Sequence, residues 1–153
     1  MTTLSALTTL LEQATSERDQ IRAGLQRAEE VARRARGQCE QLSQYRGEYR
    51  QRWQARFARE GAIEIVQCYR GFMERLEDAL VQQDRQADAA ASQCTRLRER
   101  LAAAELRVAS VKKLIERRQA EQQRVQARRD QRQTDEAARQ AHWRRGNEEA
   151  LSS

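Results

Sequence analysis

A row of small and apolar residues steps through the chain by three and four. In the first half it runs Leu4, Leu7, Leu11, Ala14, Arg18, Ile21, Leu25, Ala28, Ala32, Ala35, Cys39, Leu42, Arg46, Tyr49 and Trp53. In the second half it runs Val66, Tyr69, Met73, Leu76, Leu80, Gln83, Ala87, Ala90, Cys94, Leu97, Leu101, Ala104, Val108, Val111 and Ile115. Only Arg18, Arg46 and Gln83 break the apolar run, so 27 of these 30 positions are apolar in a chain that is 39% hydrophobic. Chance would supply about twelve, and the alternation of three and four is that of a coiled coil.

The two rows are equally long, so one helix can fold back on the other with facing residue numbers summing to about 119. Leu4 then faces Ile115, Leu25 faces Cys94, Cys39 faces Leu80 and Trp53 faces Val66. In the middle Ala28, Ala32 and Ala35 meet Ala90, Ala87 and Gln83, and this match of small with small supports the register. The pattern predicts an all-α fold in which two long helices form an antiparallel coiled-coil hairpin. At 1.5 Å per residue the paired section would extend about 75 Å, a single elongated domain over 1–153. Helix 1 is expected over about 4–57, capped by Thr3 or Ser5. The turn is expected near 58–64 around Gly61, helix 2 over about 65–145, and a frayed tail over 146–153.

Composition agrees. The chain has no proline, six glycines and 34% charged residues, which suits long helices and leaves too little bulk for a round core. The net charge of +6 is almost wholly arginine. After Ile115 the row turns polar, with Arg118, Gln122, Val125, Arg129 and Arg132, just where helix 1 has no more chain to offer. Helix 2 should therefore project as an overhang from Glu116 to Arg145 with nine arginines against five acids. Such a helix is marginal alone in water and gains from arginine and glutamate three or four apart.

The chemistry-bearing residues do not assemble into a catalytic or metal-binding pattern. Cys39, Cys68 and Cys94 are kept apart by the register and read as buried or half-buried structural thiols. His142 stands alone, and no cofactor motif is present. No apolar run is long enough to span a membrane, and no basic segment followed by an apolar block suggests a signal peptide. Function is expected from surfaces, not from an active site.

Two surfaces stand out. Tyr45, Tyr49, Trp53, Phe57, Tyr69 and Phe72 gather around the turn, where they either lock the hairpin tip or offer anchors to a partner. Phe72, Leu76, Ala79 and Gln83 form a stripe at spacings of four, three and four, the spacing of helix anchors. The other surface is the arginine-rich overhang, either a solvated helix or a site for an acidic protein. Its interspersed acids disfavour nucleic acid, which prefers basic residues massed on one face.

The segments Gln44-Tyr45-Arg46-Gly47-Glu48-Tyr49-Arg50 and Tyr69-Arg70-Gly71-Phe72-Met73-Glu74-Arg75-Leu76-Glu77-Asp78-Ala79-Leu80 resemble the flagellar FliJ proteins. So does the late Gln133-Thr134-Asp135-Glu136-Ala137-Ala138-Arg139, and the likeness in length and layout covers nearly the whole chain. The resemblance implies a non-enzymatic stalk of the bacterial flagellar type III export apparatus, similar to the coiled coil of the rotary-ATPase gamma subunit. Such a stalk sits in and stimulates the hexameric export ATPase, links it to the membrane export gate, and takes part in handling export chaperones. It is cytoplasmic and peripheral at the inner face of the cell membrane. The family's gate-docking segment falls on Phe72, Leu76, Ala79 and Gln83, with Gln83 in place of the histidine of some members. Arg117, Arg124, Arg128 and Arg132 are candidate contacts to the ATPase ring from charge alone. The alternatives are the equivalent stalk of a virulence injectisome, which the tyrosine-rich segment disfavours, and a generic coiled-coil scaffold.

Overall fold

The computed structural model describes residues 3–152. Two helices, α1 (Leu4–Glu60) and α2 (Ile63–Leu151), take up all of these except Thr3, Gly61, Ala62 and Ser152. They pack against each other as an all-α hairpin, with no strand among the described residues. Every helix boundary has a local cause. Thr3 Oγ1 accepts a hydrogen bond from the Ala6 amide at 3.2 Å, satisfying one of the four amides that open α1. At its other end Gly61 adopts φ 52°, and its amide donates to the Phe57 carbonyl at 3.2 Å. This is the left-handed glycine cap, a conformation that a side chain resists.

The turn is shorter than the pattern predicts. Only Gly61 and Ala62 lie outside the helices, where seven residues were expected over 58–64. Ala58, Arg59 and Glu60 leave the apolar row, but none of these residue types opposes helix, so α1 runs on until glycine ends it. At the far end α2 passes through Gly146 and continues to Leu151, where fraying was expected from residue 146. A single interior glycine costs only about 1 kcal/mol, and Glu148, Glu149, Ala150 and Leu151 restore good helix formers behind it.

Packing divides the chain into two compact units. The first is Ser16–Glu105, which contains the turn. Its buried residues are Ile21, Leu25, Ala35 and Cys39 from α1, and Met73, Leu76, Leu80, Ala87, Cys94, Leu97 and Ala104 from α2. Leu25, Cys94 and Leu97 form one cluster with Ala28, Ala32 and Leu101 against it, while Ala35, Cys39 and Ala87 form another. Leu25 meets Cys94, as the register predicts. The alanines let the backbones approach closely, so this stretch is held by many short contacts more than by large apolar area. Gln83, the polar member of the second row, is half-buried, and its Nε2 donates to Gln38 Oε1 at 2.8 Å and to the Ala35 carbonyl at 3.5 Å. No buried polar side-chain atom among the described residues lacks a partner.

The second unit joins the chain before Ser16 to the chain after Glu105. Here Leu7, Ala14 and Val108 are buried, and Leu4, Leu11, Val111 and Ile115 half-buried. Beyond Arg118, Ala141 is the one described residue of α2 that is not exposed. Across both units the buried residues all belong to the apolar rows, and no member of the rows is exposed.

Candidate partner-binding surfaces

The aromatic residues beside the turn form one connected stack. Tyr49 is its hub, with ring centroids 4.1 Å from Phe72, 5.8 Å from Trp53 and 6.4 Å from Tyr69. Trp53 and Phe57 close on Tyr69 at 5.6 and 5.3 Å, and the Arg56 guanidinium lies 5.4 Å from the Trp53 ring. These rings bridge the two helices, and offset and edge contacts of this kind add to what area burial supplies. Locking the hairpin near its turn is thus one thing they do.

The stripe at Phe72, Leu76, Ala79 and Gln83 does not form a single exposed face. Leu76 is buried in the hairpin core, and Gln83 turns inward to Gln38 and Ala35. Phe72 is half-buried, packed edge-on at 6.4 Å from Tyr45, and Ala79 is exposed. Beside the core lies a flank shared by both helices, exposed except at Gly24 and Phe72, which are half-buried. On α1 it consists of Gly24, Val31, Gln38 and Tyr45, each one residue before a member of the apolar row, and on α2 of Phe72, Ala79, Gln86 and Gln93. None is charged. Val31 is 59% exposed and Tyr45 42%.

The opposite flank is ionic. Arg22 pairs with Glu105 at 3.4 Å, Glu29 with Arg98 at 3.5 Å and Arg36 with Asp88 at 4.0 Å. Arg46 joins Glu77 at 3.5 Å. Neither flank is visible in the apolar periodicity. The signal lies in the residues that stand one place before or after the seam, which a search for apolar periodicity passes over.

Arg117, Arg124, Arg128 and Arg132 are all exposed on α2, among Glu121, Asp130 and Asp135. Local bonds tie this stretch together, with Arg118 and Glu121 at 3.9 Å, Gln126 and Asp130 at 3.1 Å, and Gln131 and Asp135 at 3.2 Å. A shallow groove here is lined by Leu4, Arg118, Gln122, Val125 and Arg129. Trp143 is 69% exposed.

The thiols are unpaired, as the register requires. Cys39 and Cys94 are buried, but Cys68 is exposed, contrary to the expectation of a buried or half-buried residue, because it falls outside the apolar row. Burial holds the Cys39 thiol above its ordinary pKa; Asp84 and Asp88 push the same way, and Arg36 opposes them. No cluster of candidate metal ligands occurs among the described residues, and none of the described helices is long and apolar enough to cross a membrane.

The sequence model of the flagellar FliJ protein family matches residues 3–147 of the 153. The chain belongs to the FliJ family. It is thus a component related to flagellar protein export, from a family of non-catalytic export proteins. Searches of curated proteins and of solved structures returned no match. The FliJ match spans both packing units.

Proposed function

We propose that this FliJ protein is the central stalk of a flagellar type III export apparatus. It engages the hexameric export ATPase, stimulates it and couples it to the membrane export gate, and it takes part in handling export chaperones. It works in the cytoplasm, at the inner face of the cell membrane. The observation that carries the reading is the uncharged flank on which Tyr45 and Ala79 are exposed and Phe72 is half-buried, in a chain whose residues are one-third charged. A surface that leaves Tyr45 and Ala79 open to solvent, with Phe72 partly so, supports a protein partner more than a purely structural helix pair.

In this reading the gate docks on Phe72 and Ala79 with Tyr45 beside them. Leu76 supports the surface from beneath, and Gln83 sets its edge through Gln38. Arg117, Arg124, Arg128 and Arg132 contact the ATPase ring. Phe72→Ala with Ala79→Glu should abolish binding to the purified gate while circular dichroism keeps the helical signal; retained binding would remove the flank from the proposal. Reversing the four arginine charges should weaken stimulation of the ATPase. Unchanged stimulation would confine the ring contact to other residues. Co-purification with the export ATPase tests the whole reading, since an injectisome stalk or a free scaffold would not bring down the flagellar enzyme.

A further inference from the structure

We propose that the ionic flank, together with Gln83, is a register lock: it holds the helix pair of Ser16–Glu105 in one of several alignments that the apolar rows would accept. The seam discriminates by size at its alanines but hardly by polarity. Its members are apolar almost throughout, so sliding one helix by a heptad still lays apolar residues on apolar residues. The charges do not tolerate the slide. In the observed alignment Arg22 meets Glu105 and Glu29 meets Arg98. A slide by one heptad in one direction brings Arg22 to Arg98. The opposite slide brings Glu29 to Glu105 and Arg36 to Arg98. Either slide breaks both pairs and sets at least one pair of like charges together, although the first also takes Glu29 to Ala91 and Arg36 to Asp84.

Each exposed pair is weak by itself, but discrimination adds the attraction lost to the repulsion gained at each site. Gln83 acts in the same sense from inside the seam. Its bond to the Gln38 side chain exists only in this alignment, because after a slide it would face Tyr45 or Val31 across the pair. The uncharged flank has no comparable alternation, so the two sides divide the labour: one fixes alignment and the other stays open. This proposal does not depend on the partner assignments above.

The test is a thiol cross-link in the full chain. With Cys39→Ala and Cys68→Ser, Cys94 is the only thiol, and Leu25→Cys adds a second in the same apolar cluster. Mild oxidation should join 25 to 94 within one chain. Adding Arg22→Glu and Glu29→Arg should slow this roughly tenfold, and adding Arg98→Glu and Glu105→Arg should restore it, because the pairs are then rebuilt with signs exchanged. With Cys94→Ala and Ala87→Cys or Leu101→Cys, the reversed chain should gain the slipped cross-link at one of the two. An unchanged 25–94 rate in the reversed chain overturns the lock. So does failure of the fourfold variant to restore the rate, whether the chain has slid or melted.

Discussion

Ala87 is 2% exposed, among the most enclosed side chains in the hairpin, and it sits against Ala35 and Cys39. Its importance is its smallness, since extra methylenes there would have to push two backbones apart. Ala87→Leu should cost about 1–3 kcal/mol although it adds apolar area, read as a lower urea midpoint. Leu76→Ala, by contrast, empties the core and should cost about 2–5 kcal/mol, so any loss of partner binding it causes must be judged against stability. The thiols make a separate prediction. Cys68 should react with iodoacetamide first, while Cys39 and Cys94 wait for the chain to open. For Cys39 the raised pKa means the folded state holds its proton to higher pH than the unfolded one. Its contribution to stability is therefore whole at neutral pH and is lost as pH rises past the ordinary thiol range toward the folded value. In a pH series, the difference between the denaturation midpoints of Cys39→Ala and the parent should change only there.

The helices and their ends follow different rules. Gly61 holds the left-handed conformation with open space where a side chain would stand, so Gly61→Ala should cost about 1–2 kcal/mol from backbone strain alone. Gly146 has equally open surroundings but an ordinary helical backbone, and Gly146→Ala should raise helicity at the end of α2, worth up to about 1 kcal/mol. Thermal melts followed at 222 nm separate the two. The cores of both helices were legible in the sequence because burial and periodicity coincide: every residue of the two rows is sheltered. The ends were less so. Leaving the seam at Ala58 resembled leaving the helix, yet helical backbone needs no buried face for one more turn, and only glycine settled the stop. The stripe at Phe72, Leu76, Ala79 and Gln83 failed as a single face for a related reason. It crosses from flank to core, because Phe72 and Ala79 each precede a seam residue while Leu76 and Gln83 are seam residues themselves.

For the molecule as a whole, family membership was legible in the tyrosine-rich and Phe72-containing segments, and the match to residues 3–147 agrees with it. Which arginine meets which partner was not legible, since exposure and charge alone do not tell a contact from a solvated side chain. Stopping the chain after Arg118 should remove helical signal roughly in proportion to the residues lost and leave one cooperative melting transition, because α2 is almost entirely exposed beyond that point. A second transition in the full chain but not in the truncated one would show that the distal segment folds against something. The turn has a further consequence. With just Gly61 and Ala62 between the helices, the link supplies little beyond proximity, and most of the adhesion belongs to the paired faces. Two separate peptides, 1–60 and 63–153, should therefore find each other on mixing, their affinity reporting what the seam is worth once tethering is taken away.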